Sequence, residues 1–347
     1  MILFHVKQAN VVQKESGDNA MKVLLVRLSS MGDLIHTLPA VNDLSVCRPD
    51  IELHWLCEAG FADIARLHPF VKKIHPLSWR QWRKQLGKRE TWQEIGRLKT
   101  NLRQEKFDLV LDSQSLIKSA LPAKMAGAPV WGLDKYSARE SWAACFYTHT
   151  FSVPKERDAV WRNRSLFAQA FGYELPEKLI FGVQIPEKGR LKTEKPYYVA
   201  LHASSRDSKL WQPQYWRELM RLMHERDGGT IYLPWGSEKE KIRAESLSDG
   251  LPYVRVCDKM NLMQGAELLR DAAGVVGVDT GLLHLANAFD KPLVGIYTDT
   301  APEKTGVQSS SKAANIGGIG QMPEPQAVFK LLLQGMDAEK QPEQTTQ

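Results

Sequence analysis

Apolar residues fall along this chain in short β-branched runs, separated by longer stretches in which they recur every three or four positions. Runs of the first kind predict strands buried on both faces, and the longer stretches predict helices laid over them. Their alternation is the pattern of a parallel α/β sheet. In the first half the runs place strands at 22–28, 51–57, 107–113 and 130–133, and helices at 34–46, 79–106 and 158–171. The alternation then stops. The stretch "VQIPEKGRLKTEKP" has no apolar period and carries two prolines and a glycine, so 184–196 reads as a linker. A second alternation predicts strands at 197–203, 230–234, 253–257, 274–279 and 293–297. Its helices fall at 216–226, 238–247, 263–272 and 282–289. The expected fold class is α/β, with two Rossmann-like, doubly wound domains at 21–183 and 197–325 facing a cleft, and a closing helix at 326–337. Ligands of such sheets sit at the carboxyl ends of the strands, so the chemistry is sought in the loops there.

The ends of the chain stand apart from this pattern. Residues 1–20 lack a sustained apolar core and a small-residue cleavage site, which argues against a signal peptide. They read as an extension outside the fold, with Met21 a candidate second start. The polar tail at 338–347, "AEKQPEQTTQ", is expected to fray. No apolar run approaches the roughly 18–20 residues that cross a bilayer. The four cysteines, Cys47, Cys57, Cys145 and Cys257, form no C-x-x-C pair, so neither a zinc site nor a disulfide framework is expected and a reducing cytosol is the simplest setting. A net charge of +6 and a pI near 9.0 point to an anionic partner: nucleic acid, an anionic membrane surface or a phosphorylated substrate.

Five stretches offer chemistry. "SSMGD" follows the first strand, and Asp33 there reads either as the N-cap of the next helix or as a general base, with His36 a second candidate base. "LHASSRDSKLW" offers the hydroxyls of Ser204 and Ser205 and the ammonium of Lys209 to a phosphate, or is a solvated polar loop. In "GVVGVDTGLLHLANAF" the amides of Thr280, Gly281 and Leu282 open a helix, a ready site for an anion such as a diphosphate. Asp279 beside them is a possible N-cap, and His284 either reaches a phosphate or packs. In "YLPWGSEKE", Glu240 is placed to hold a ribose diol. Finally, eleven lysines and arginines lie between Lys72 and Lys106 against three glutamates, with Trp79, Trp82 and Trp92 among them. That mixture suggests a membrane-surface role beyond a merely solvated face. Nucleic acid would also suit basic and aromatic residues, but no recognition module is visible.

The stretches "SSMGDLIHTLPA", "RQWRK", "SARE", "HASSRDSKLW", "LPWGSEKE" and "VDTGLLHLANA", in this order, resemble the ADP-heptose:lipopolysaccharide heptosyltransferases of glycosyltransferase family 9, the heptosyltransferase I type in particular. The resemblance runs from Met21 to about Val328. It implies a GT-B fold, with the acceptor on the first domain and the nucleotide-sugar donor on the second, closing around both. It implies an inverting, metal-independent transfer of heptose from ADP-L-glycero-β-D-manno-heptose to the inner 3-deoxy-octulosonate (Kdo) of Kdo2-lipid A. No cofactor and no nucleic-acid partner follow from it. The expected setting is a monomer in the cytoplasm, peripheral on the inner face of a Gram-negative inner membrane.

By the same resemblance the catalytic base falls on Asp33 and the phosphate-contacting lysine on Lys209, beside Ser204 and Ser205. The donor site further includes Asp279, Thr280, Gly281 and His284, with Glu240 on the ribose and Met260 at the adenine. Arg80, Arg83, Lys84 and Arg139 would meet the anionic acceptor. One departure is the pair Ser204-Ser205, where the family pattern carries threonines; the hydroxyl donors survive that change. The alternatives are heptosyltransferase II or a related enzyme with another acceptor, and a non-catalytic nucleotide-sugar-binding protein.

Overall fold

A computed structural model describes residues 20–185, 193–194 and 196–340. The expected extension up to residue 19, most of the expected linker (186–192 and 195) and the end of the tail (341–347) lie outside the described residues. The chain divides into two compact units, 1–182 and 183–347.

In the first unit six strands form one sheet: β1 Met21–Val26, β2 Ile51–Glu58, β3 Val71–Leu77, β4 Leu109–Asp112, β5 Val130–Leu133 and β6 His149–Phe151. All neighbours are parallel, in the order β3-β2-β1-β4-β5-β6. The second unit repeats the plan with β7 Tyr197–Leu201, β8 Thr230–Leu233, β9 Val254–Val256, β10 Gly274–Val278, β11 Leu293–Tyr297 and β12 Ala313–Gly317. Its order, β12-β11-β10-β7-β8-β9, is the same arrangement met from the other edge. Both are Rossmann-like sheets, so the α/β expectation holds. Each has a switch point where the first strand of the unit lies beside the fourth, at β1/β4 and β7/β10.

Burial explains which strands the apolar pattern showed. β4, β7, β10 and β11 are buried at every position, so their sequences are unbroken apolar runs. The edge strands β3, β6 and β12 were not anticipated. They are partly solvated, and β3 carries exposed Lys72 and Lys73, which also keep that edge from pairing with another chain.

Two helix expectations are corrected. The single helix expected at 34–46 is two, Met31–Ile35 and Leu38–Cys47. Pro39 has no N–H to give back along a continuous helix and sits instead in the first turn of a new one. The long basic helix expected at 79–106 is likewise two, Trp79–Lys84 and Arg89–Gln104, parted at exposed Gly87, where no side chain is available to pack. The helix Ile117–Met125, with Pro122 inside it, was not expected at all. By contrast, Ala159–Phe171 starts where its sequence says, with Asp158 accepting from the amides of Val160 and Trp161 at 3.0 Å each.

Helix Arg89–Gln104 lays Leu98 and Leu102 over Leu24, Val26 and Val110 of the first sheet. A buried ion pair ties the helices Leu38–Cys47 and Ala159–Phe171: Arg164 donates to both Asp43 oxygens, at 2.6 and 3.2 Å, and to the carbonyls of Pro176 and Lys178. Charge and donors are thus answered together, as a desolvated guanidinium requires. In the second unit Trp211, Trp216, Met220 and Met223 pack over β7, β8 and β10. Among the described residues no helix is long and apolar enough to cross a membrane.

Two buried imidazoles make the fold sensitive to acid. Burial lowers His68 and His202 from 6.5 to about 4, and for His202 the charge of Arg243 adds to the effect. Between these values the unfolded chain binds more protons than the folded one. Stability is therefore fully present above pH 6.5, falls as the pH drops, and levels off below about 4. We expect Tm to decline from pH 7 to pH 5, and His68→Gln and His202→Gln each to flatten that decline. A Tm level across this range in the unsubstituted protein would show that neither imidazole is held neutral.

Candidate active site

At the first switch point β1 runs out through Arg27 and Leu28 into Ser29 and Ser30. Gln114, just beyond β4, clamps this turn from both sides: its Oε1 accepts from the Leu28 amide at 2.7 Å and its Nε2 donates to the Ser29 carbonyl at 2.8 Å. Gln114 is itself fixed by Asp112, whose buried carboxylate accepts from the Gln114 and Ser115 amides and from the hydroxyls of Ser119 and Tyr147.

Asp33 stands over this turn as the third residue of helix Met31–Ile35, so the N-cap is Ser30 and the expectation of Asp33 in that place is corrected. Asp33 reaches back instead. Its Oδ2 accepts from the Ser30 amide at 2.8 Å and the Ser30 hydroxyl at 3.0 Å. Its Oδ1 lies 3.5 Å from Nη2 of buried Arg27 and 3.6 Å from Nη1 of exposed Arg139. Burial alone would raise its pKa, but Arg27, the Ser30 amide, Arg139 and His36 outweigh burial and hold the carboxyl below its ordinary value. With its side chain 26% exposed, Asp33 is an ionised proton acceptor open to a bound molecule. His36, the other candidate base, is buried.

Cations surround this carboxylate. Lys118 donates to the Ser29 hydroxyl at 2.8 Å, and burial pulls its pKa down while Asp33 opposes. Arg139 of "SARE" lies beside Asp33, and Arg80 acts on Lys118 through its charge. Arg80 lies over the Phe61 ring at 5.5 Å, and Arg83 and Lys84 on the same short helix are exposed. The tryptophans divide differently from the expectation. Trp82 is buried and donates to Glu94 at 2.7 Å, Trp79 is half-buried, and only Trp92 of the three is largely exposed. An indole that anchors the helix to the sheet is unavailable to a membrane, so that part of the reading is corrected.

At the second switch point β10 ends against Asp279, and Thr280 rather than Asp279 is the N-cap of helix Gly281–Ala288. Gly281 and Leu282 occupy the first two positions of the helix, whose amides have no acceptor within it. Asp279 is drawn inward: Lys209 donates to Oδ2 at 2.6 Å, Thr300 donates to the same oxygen at 2.9 Å, and His284 Nε2 is 3.6 Å from Oδ1. Burial would raise the Asp279 pKa, yet His284, Lys209 and Thr300 outweigh it and hold the carboxyl well below the usual range. Ser204 donates to the Asp279 carbonyl at 3.3 Å, and Ser205 is exposed beside it. An ammonium has three donors, so Lys209 is oriented by Asp279 and keeps two for an anion at the helix mouth.

Glu240 follows β8 and closes a capping box: Oε2 accepts from the Gly236 amide at 2.7 Å and the Ser237 amide at 3.3 Å. Its other oxygen accepts no hydrogen bond among the described residues and can accept from a diol. Met260, half-buried, lies beyond β9 just before the cap residue Asn261. Sequence reasoning passed over Arg27, Gln114, Lys118 and Thr300. Arg27 had a signal, a charge inside an apolar run, which demands a buried partner. Thr300 follows a predicted strand end. Gln114 and Lys118 are visible only once β4 is placed beside β1.

The model of glycosyltransferase family 9 (heptosyltransferase) matches residues 95–331. Lipopolysaccharide heptosyltransferase 1 of Pseudomonas aeruginosa is 42% identical over 294 residues, 84% of this chain and 82% of that protein. The structure of E. coli heptosyltransferase WaaC with ADP superposes with a TM-score of 0.83 at 35% identity, covering 91% of this chain and 100% of that one. The same enzyme with ADP-2-deoxy-2-fluoro heptose gives 0.79, covering 92% of this chain and 100% of that one. The chain is a member of glycosyltransferase family 9, the heptosyltransferases.

Proposed function

We propose that this chain transfers L-glycero-D-manno-heptose from ADP-L-glycero-β-D-manno-heptose to the inner Kdo of Kdo2-lipid A, with inversion and in a single displacement. The observation that carries the mechanism is Asp33, ionised and open to a bound hydroxyl amid Arg27, Lys118 and Arg139. What supports the substrates is the similarity to lipopolysaccharide heptosyltransferase 1 over most of both chains, together with the ADP-bound relative.

In this reading a Kdo hydroxyl attacks the anomeric carbon as Asp33 takes its proton. The bond to the diphosphate breaks and ADP leaves with the electron pair. Lys209 and the amides of Gly281 and Leu282 then receive the growing negative charge, preorganised by Asp279 and Thr300. Glu240 holds the ribose through its second oxygen, and Met260 lines the adenine. The step as written needs no metal. The acceptor is a lipid, so the enzyme works as a peripheral protein on the cytoplasmic face of the inner membrane, where Arg80, Arg83 and Lys84 meet the anionic head group.

Asp33→Asn keeps the shape of the site and removes the proton acceptor. It is expected to lower kcat by about 10²–10³-fold or more, comparable to losing one preorganised group worth about 2.7–4 kcal/mol, with ADP affinity within about twofold in calorimetry. Turnover near the wild-type rate would refute the base assignment. The Arg80→Ala/Arg83→Ala/Lys84→Ala variant should raise the acceptor KM severalfold and leave the donor KM unchanged. An unaltered acceptor KM would remove these residues from the acceptor site. Arg139→Ala removes one of the charges holding Asp33 down, so the acid limb of kcat against pH should move upward; a limb that stays in place would show that Arg27 and Ser30 suffice.

A further inference from the structure

Away from both switch points, β2 and β3 bring two imidazoles together, and the end of helix Arg89–Gln104 adds the carboxylate of Glu105. His54 Nδ1 lies 3.0 Å from His75 Nε2 and 4.0 Å from Glu105 Oε2, and the three ligand atoms all fall within 4.8 Å of one another. We propose that His54, His75 and Glu105 bind a divalent transition-metal ion of the zinc type. A tetrahedral zinc with bonds of about 2.0–2.1 Å separates its ligand atoms by about 3.3–3.4 Å. The two nitrogens already stand near that spacing, and a movement of about 1 Å brings Glu105 to it.

The surroundings fit this donor set. His54 Nε2 donates to Glu52 Oε1 at 2.9 Å, which puts its proton on that nitrogen and turns the lone pair of Nδ1 inward. A carboxylate behind a histidine in this way is the usual support of a metal-bound imidazole. In the metal-free arrangement His75 Nε2 therefore donates to His54 Nδ1. On binding, His75 moves its proton to its own Nδ1, so the second lone pair is freed with no net loss of a proton. Phe107 stands edge-on to both rings, with centroids 5.2 and 5.9 Å away, and limits their rotation. A cavity of about 570 Å³ lined by His75, Glu105, Arg97, Asn101 and Gln104 gives a hydrated ion its way in.

Two ammonium groups compete for the carboxylates. Lys73 donates to Glu105, and Lys22 is 3.5 Å from Glu105 and 3.2 Å from Glu52. Lys73 is more than half exposed and can turn to solvent when the ion enters. The site therefore binds more weakly than one built of the same ligands without lysines.

The full chain, stripped with a chelator, is dialysed against Zn²⁺, with Co²⁺ as a spectroscopic probe. One ion per chain is expected. His75→Ala and Glu105→Gln should each weaken binding at least tenfold, and Lys73→Ala should tighten it. Bound Co²⁺ should show the visible bands of a tetrahedral nitrogen and oxygen site with no thiolate charge-transfer band. Glu105→Gln keeps the reading open if the histidine variant fails to fold. Absence of Zn²⁺ binding, binding undiminished in both variants, or a thiolate band assigning the ion to cysteine would each overturn the proposal.

Discussion

The constraint on which the rest depends is that every strand of a parallel sheet ends on the same edge. Where the strand order reverses, between β1 and β4 in the first unit and between β7 and β10 in the second, the loops of that unit diverge and leave an opening at its own strand ends. The turn held by Gln114 and the loop leading to Asp279 both occupy such places. Neither position owes anything to a glycine-rich fingerprint. The topology supplies the opening, and the side chains and free helix amides placed there decide what it does.

The two units fill their openings with the same arrangement, a carboxylate held by cations, and put it to different uses. Asp33 and Asp279 are both held ionised against the penalty of burial. Asp279 is turned inward onto Lys209 and Thr300, with a side chain only 10% exposed, so it serves by positioning a cation. Asp33 is held from behind by Arg27 and Ser30, remains open on one side, and is free to act on a proton. A carboxylate kept ionised without being used up by its partners suits a base, whereas one closed into an ion pair suits a scaffold.

Much of the fold was legible in the sequence because buried parallel strands leave unbroken apolar runs, as β4, β7, β10 and β11 do. The edge strands β3, β6 and β12 were hidden for separate reasons: Lys72 and Lys73 break the run of β3, β6 is only three residues long, and β12 is buried only at Ala313. The helix breaks at Pro39 and Gly87 carry their own marks, a residue without an N–H and a residue without a side chain. At the site, Asp279 stood out because it directly follows a strand, and Asp33 and Lys209 because they lie in the polar stretches after β1 and β7, whereas Arg139 was reached only through the resemblance of "SARE". Gln114 and Lys118 come from chain about 85 residues beyond the turn they hold, and no local pattern could announce them.

The most direct measurement is the structure of the product made from ADP-L-glycero-β-D-manno-heptose and Kdo2-lipid A. Mass spectrometry and NMR should find one heptose added and one ADP released, with the new linkage α, inverted from the β donor. A retained β linkage would mean a covalent intermediate rather than a base at Asp33, and no transfer to Kdo2-lipid A would contradict the proposed acceptor.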